Sequence, residues 1–233
     1  MTEEVSKIAT VPSLAIDGDS SEKRFVIRQI GWSGYEALLR DVLNDRRSIR
    51  VTYDRGDVEL MSPHSSHERY GYLLGRMVQA ITEELDIPIC SIRSTTLRSK
   101  ELDRGLEADE GYYFANAHRM VGVVDLENTP PPDLAIEIEI TNSVLARLPV
   151  YAALGVPEIW RFDGDRLIVL LLGTDSVYRQ SESSLALPFV PLGEIVRFIE
   201  EHEPGEDTRW ARSFRARVRE VLLPIDRNQA SPE

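Results

Sequence analysis

Apolar residues recur along this chain with two periods, and the switches between them mark out its elements. Over residues 65–85 the period is helical: Tyr70, Leu73, Leu74, Met77, Ile81 and Leu85 form one stripe, and Pro88 stands where a helix should have stopped. Ser65 and Glu68 have capping-box spacing at its start, Ser65 as N-cap and Glu68 at N3. Tyr35, Leu38, Leu39 and Val42 predict an earlier helix over 34–43 capped by Ser33. Leu145, Leu148, Tyr151 and Leu154 predict a third, closed by Gly155, with Pro149 confining regular helix to a start near Leu148. Residues 192–201 and 207–222 read as terminal helices.

Elsewhere the runs are short and strand-like: 24–28, 49–53, 58–61, 89–97, 106–114, 133–141, 159–162, 166–172 and 177–180. Asp54-Arg55-Gly56-Asp57 between two of them signals a hairpin. Helix, strands, helix, strands is the order of an α/β domain, a mixed sheet flanked by helices. Residues 1–22 are polar without periodicity and read as a disordered or extended tail, 23–225 as one domain, and 226–233 as a frayed end.

The segment over 133–141 stands out. Leu134, Ile136, Ile138 and Ile140 fall on one strand face, while Asp133, Ala135, Glu137 and Glu139 fall on the other. On an exposed face these carboxylates would only repel. In a cleft they must hold a cation, share a proton or meet a basic partner. Asp133, after three prolines, marks the strand start.

Composition narrows the setting. A chain of 233 residues with 42% hydrophobic and 28% charged content is an ordinary globular one. Its longest apolar runs, such as 167–172, are far short of a membrane span, and no basic region followed by an apolar block marks a secretory signal. Cys90 stands alone, which excludes an intramolecular disulfide and a multi-cysteine zinc site and makes a reduced, cytoplasmic setting the default expectation. The net charge of -12 argues against coating nucleic acid by bulk electrostatics but leaves room for a local grip. Two arginine runs, Arg46, Arg47 and Arg50, and Arg209, Arg212, Arg215, Arg217 and Arg219, read as solvated faces balanced by acids.

Glu137 and Glu139, two apart on a strand, sit roughly 6.5–7 Å from each other at Cα and can share a hard cation or a proton. The preceding strand carries Glu107, Asp109 and Glu110; paired alongside, it brings another acid to the same spot. Carboxylate oxygens without His or Cys suit Mg²⁺ or Mn²⁺ rather than Zn²⁺. With phosphate oxygens completing the shell, such a site cleaves phosphodiesters. A solvated sheet face paired with arginines and a glycosidase-like acid pair are the alternatives. His64 and His67 read as solvent-exposed, and Trp160, Tyr151 and Leu154 as core.

The segments YDRGDVELMSP (53–63), GLEADEGYYF (105–114), PPPDLAIEIEIT (130–141) and YAALGVPEIWR (151–161), in that order, resemble the Uma-two family. These are bacterial endonucleases of restriction-endonuclease-like fold in the PD-(D/E)XK superfamily, and the resemblance runs over about 32–199. It implies a restriction-endonuclease-like mixed central sheet flanked by helices. It also implies an Mg²⁺- or Mn²⁺-dependent endonuclease acting on DNA, with dimerisation a habit of the superfamily. Carried onto this chain, the strand aspartate is Asp109, in Ala-Asp where many relatives have Pro-Asp, and the metal-binding acid of the next strand is Glu137. Glu139 takes the usual lysine position, as third ligand or general base. Other relatives supply a lysine from the following helix; the matching Arg147 stays charged, so it accepts no proton and suits a phosphate clamp. Glu68 matches the early-helix acid. Asp109 and Glu137 should then face one cleft. The missing lysine and the acidic net charge favour the alternative, a non-catalytic binding or regulatory protein on the same scaffold.

Overall fold

The structure, a computed structural model, describes residues 23–42, 49–93, 95–123, 126–127, 129–140, 143 and 145–222. The predicted tail, the frayed end, and Arg46 and Arg47 lie outside the described residues. In chain order the main elements are β1 (Lys23–Ile27), α1 (Trp32–Ala37), β2 (Arg50–Asp54), β3 (Asp57–Ser62), α2 (Ser65–Leu85), β4 (Cys90–Ser91), β5 (Thr96–Ser99), β6 (Arg104–Glu107), β7 (Glu110–Tyr113) and β8 (Leu134–Ile138). There follow α3 (Arg147–Leu154), β9 (Glu158–Phe162), β10 (Leu167–Leu172), β11 (Tyr178–Ser181), α4 (Leu192–Glu200) and α5 (Asp207–Arg217). Among the described residues no helix is long and apolar enough to cross a membrane.

The α/β expectation holds, but the strands make two sheets rather than one central sheet. One runs β1-β3-β2-β6-β5 and is antiparallel throughout; the other runs β11-β10-β9-β8-β7-β4. Only β8 and β9 pair in parallel among the described strands, and α3 supplies the crossover that a parallel pair requires. The split falls inside two predicted strands. The run over 106–114 leaves the five-stranded sheet after Glu107 and joins the six-stranded one at Glu110, so Ala108 and Asp109 cross between sheets. The run over 89–97 divides the same way into β4 and β5.

Both faces of β8 are buried. Leu134, Ile136 and Ile138 join Trp160, Phe162 and Val169 beneath α2, α4 and α5. Ala135 faces the other way, with Ile159, Leu170 and Val150 and Tyr151 of α3, and with Leu97, Leu106 and Ala108 from the β5–β7 stretch. Helix α3 thus wedges between the sheets, against β6, β5 and β2. On the five-stranded sheet a separate cluster gathers Trp32, Tyr35, Val51, Tyr53, Val58 and Leu60.

Local chemistry explains most element ends. The β2–β3 hairpin closes on Arg55 and Gly56, both at positive φ (46° and 97°), the geometry that lets a two-residue turn follow strand twist. Helix α1 starts at Trp32, after Gly31, rather than at a Ser33 cap, and loosens into π geometry over Leu38–Val42. Its start is set by packing: Tyr35 stacks on Tyr53 with ring centroids 4.5 Å apart, and Trp32 meets both edge-on. Gly105 leaves room for this stack, because a Cβ there would land on the Tyr35 hydroxyl. Helix α2 has the predicted bounds, but His64 is its N-cap, its Nδ1 accepting from the Ser66 N–H at 3.2 Å. The capping-box expectation for Ser65 and Glu68 is corrected accordingly.

Candidate functional site

Asp109 sits at the crossing between sheets. The β7–β8 ladder ends with the pair Glu110 and Ile136, and beyond it Asp109 serves as a substitute rung. Its N–H donates to the Ile136 carbonyl at 3.2 Å, and its Oδ2 accepts from the Ile138 N–H at 2.8 Å. From β2, Arg50 donates through Nε to Asp109 Oδ1 at 3.3 Å and through Nη2 to Glu68 Oε1 at 3.0 Å. Arg50 is buried, so the expectation that its basic run forms a solvated face fails there; a sheet position facing a buried aspartate decides it. His67, expected to be exposed, is 1% exposed, with Nε2 3.4 Å from Asp109 Oδ2 and no hydrogen-bond partner among the described residues. Helical spacing had turned it inward, one residue from the exposed Glu68 carboxylate that Arg50 holds.

Glu137 projects from the other face of β8 toward α3. Arg147, the first residue of that helix, takes both of its oxygens: Nε to Oε2 at 2.8 Å and Nη2 to Oε1 at 2.7 Å. The same guanidinium donates to Thr52 Oγ1 of β2 and to the Glu107 carbonyl of β6, both at 2.6 Å. Arg147 therefore ties β8 in one sheet to two strands of the other. The Tyr151 hydroxyl, one turn on, donates to Glu137 Oε1. Tyr151 is core, as predicted, yet its polar end belongs to the site. Burial pushes the Glu137 carboxyl up, against the pull of the Arg147 charge. Burial also works against the Arg147 charge, but Glu137 more than offsets it and the guanidinium stays protonated. Burial, with Glu137 beside it, likewise keeps Tyr151 protonated as a donor.

Glu139 lies just past the end of β8, its carboxylate 3.3 Å from Arg161 Nη1. Asp133 accepts from the Phe114 and Ala115 N–H groups at 2.6 and 3.0 Å, which fits its role at the strand start. Asp109, Glu137 and Glu139 all line one cleft of about 410 Å³, with Arg24, Arg147 and Arg161 also on its wall. Glu68 is not on that wall; it shares a smaller cavity of about 150 Å³ with Asp109, His67, Arg50, Arg93 and Glu110. Asp109 borders both spaces. Its neighbours Glu107 and Glu110 are each pushed up to about 7, chiefly by burial.

Oxygen donors alone, as at Asp109, Glu137 and Glu139, suit a hard divalent cation by type. Their arrangement is another matter: each carboxylate already has its own arginine, Arg50, Arg147 or Arg161. Among the described residues no three His, Cys, Asp or Glu side chains are arranged to hold a metal as they stand. The Arg147 fork occupies the oxygens of Glu137 that a cation would need.

Arg50, Thr52, Glu59, His67, Tyr151 and Arg161 escaped the sequence expectations as site residues. Glu59 had a signal, an acid inside an otherwise apolar strand. Its carboxylate accepts from Arg24 Nη1 at 2.5 Å and from the Leu145 N–H at 2.6 Å, holding the approach to α3.

The model of the Uma2 family, described as "Putative restriction endonuclease", matches residues 32–197. The chain belongs to this family. The Uma2 match starts at α1 and ends within α4, so it takes in Glu68, Asp109, Glu137, Glu139 and Arg147 and leaves β1 and α5 outside. A crystal structure of a putative nuclease belonging to DUF820 from Anabaena variabilis ATCC 29413 is similar at 15% identity, over 69% of this chain and 90% of that one, with a TM-score of 0.41. No curated protein matches the chain.

Proposed function

We propose that this chain is an endonuclease hydrolysing DNA phosphodiester bonds in the cleft that Asp109, Glu137 and Glu139 line. One observation carries the reading: acids from two stretches of chain 28 residues apart, Asp109 and Glu137, open onto the same cleft beside arginines. Membership of a family described as "Putative restriction endonuclease" supports it. Asp109 and Glu137 are the residues that would hold Mg²⁺ or Mn²⁺, with Glu139 as third ligand or as the general base. When bound, such an ion neutralises charge on the scissile phosphate and lowers the pKa of an attacking water. Glu139, more exposed than the other two acids and held by one 3.3 Å contact, is the acid freest to accept that proton. Arg161 and, once off Glu137, Arg147 supply guanidinium groups whose fork matches a phosphate.

The test is plasmid nicking by purified protein with Mg²⁺ or Mn²⁺. Cation-dependent conversion of supercoiled to open-circle DNA is expected, with loss of nicking on chelation and in Glu137→Gln. Equal inertness of the wild type and the variant would sink the reading. The second reading, a protein that binds DNA without cutting it, is favoured by the closed Arg147–Glu137 pair. It expects a mobility shift of duplex DNA with no product.

A further inference from the structure

We infer that Arg147 is a resident cation in the seat of the metal, so that a divalent ion and the guanidinium compete for Glu137 and the ion enters only as Arg147 leaves. This rests on the nuclease reading of the cleft and adds to it a built-in block on metal loading.

Occupancy is the first argument. A carboxylate has about four lone-pair sites. Glu137 gives two to the Arg147 fork and one to the Tyr151 hydroxyl, within a side chain that is 10% exposed. That leaves about one, so a cation that binds Glu137 through both oxygens must displace one of these donors. Both Tyr151 and Arg147 border the cleft, but Tyr151 is 0% exposed with its ring packed in the core, whereas the Arg147 side chain keeps 16% exposure. The arginine is the donor with somewhere to go.

Charge is the second. Three carboxylates around the cleft are matched by three arginines. Adding two positive charges beside Glu137 while Arg147 remains would put like charges within a few ångströms in a poorly solvated place, at a cost that grows as the local dielectric falls. Withdrawal of one guanidinium restores room and removes half of the added charge. The cleft offers it a partner in Glu139, whose only ion-pair contact among the described residues is the 3.3 Å approach of Arg161. A phosphodiester in the cleft is a stronger attraction, because a guanidinium pairs with phosphate in the same bidentate way.

The third is position. Arg147 is the first residue of α3, and its other N–H groups end on Thr52 Oγ1 and the Glu107 carbonyl, both neutral. Of its bonds, only those to Glu137 pair two charges. A change of rotamer therefore gives up two neutral bonds and one ion pair without disturbing the helix.

Mn²⁺ binding followed by the loss of the free-ion paramagnetic resonance signal tests this without any activity measurement. Wild type, Arg147→Gln, Arg147→Lys and Arg147→Gln/Glu137→Gln are titrated with Mn²⁺, and their folding is checked by circular dichroism. Affinity is expected to rise about tenfold or more in Arg147→Gln, as expected when a buried competing charge is removed. Arg147→Lys, which keeps a charge but not the fork, should fall between and stands in if the glutamine variant does not fold. The double variant should lose the gain. Wild type binding as tightly as either single variant, or more tightly, overturns the inference and leaves the nuclease reading standing. No binding by any variant overturns both. A rise in affinity with no DNA nicking by any variant leaves the competition in place and removes the nuclease reading.

Discussion

Arg50 holds Asp109 from the neighbouring strand, Nε to Oδ1 at 3.3 Å, with both side chains less than a tenth exposed. Removing the arginine leaves an aspartate in a place water scarcely reaches. Arg50→Met is expected to cost about 3 kcal/mol, the usual penalty for orphaning one partner of a buried pair. Urea denaturation reads it as a lowered midpoint at unchanged slope. Adding Asp109→Asn to Arg50→Met should recover much of the loss. If the double variant is as unstable as the two single effects added together, the two residues are not coupled.

Tyr151 and Tyr178 make a matched comparison. Both rings are packed, but the Tyr151 hydroxyl donates to the Glu137 carboxylate and the Tyr178 hydroxyl to the neutral Val156 carbonyl. Tyr151→Phe should cost about 2 kcal/mol and Tyr178→Phe about 1 kcal/mol, since bonds to charged groups contribute more. Equal losses in chemical denaturation would mean that the Glu137 charge adds nothing to its bond.

Glu110 predicts a pH dependence with a definite sign. Burial pushes its carboxyl up to about 7, Arg93 and the Tyr112 hydroxyl pull it back, and Asp109 adds to the rise. In the unfolded chain a glutamate titrates near ~4.3. Between these values the folded chain holds a proton that the unfolded chain has lost, so the contribution of Glu110 is full below about pH 4 and disappears as pH rises through about 7. The loss is on the order of 3–4 kcal/mol. Glu110→Gln, neutral throughout, should gain on the wild type between pH 5 and pH 8 in thermal melts. Parallel stability curves for the two proteins would contradict this.

Gly105→Ala places a methyl group on the Tyr35 hydroxyl and 3.2 Å from Arg98 Cβ. Tyr35 has no room to yield, held between Tyr53 and Trp32. The expected cost is about 1–3 kcal/mol, as for other overpacked cores. The Tyr35 hydroxyl is also buried without a hydrogen-bond partner among the described residues. Tyr35→Phe should therefore stabilise the protein by about 1 kcal/mol and rescue most of Gly105→Ala. A melt in which the double variant is no better than Gly105→Ala alone would place the strain elsewhere.

Much of the framework is legible in the sequence. The stripe from Tyr70 to Leu85 gave α2 its bounds, and positive-φ chemistry at Gly56 marked the hairpin. The acids Asp109, Glu137 and Glu139 were recognisable as a set. Arg147 was recognisable as a phosphate clamp through the family resemblance, but its pairing with Glu137 and that of Arg50 with Asp109 were not, because these partners lie 10 and 59 residues apart and topology alone joins them. Arg50 looked like one more charge in a basic run, and charge runs carry no information about which member a sheet buries. The sheet boundary left only a faint mark: the alternation Leu106, Glu107, Ala108, Asp109 slips at Glu110, and strand pairing is what shows that Glu107 and Glu110 belong to different sheets.

That boundary makes the segment from Gly105 to Tyr113 a ruler. Two residues, Ala108 and Asp109, measure the step from one sheet to the other, and side chains alternate on either side of it. Loss or gain of one residue there would turn Glu110 and Tyr112 to the opposite face and bring Gly111 round in their place. The Asp109 carboxylate would lose the Ile138 N–H it now accepts from. Substitutions in this stretch change the chemistry of the cleft; a change in its length would take the cleft apart.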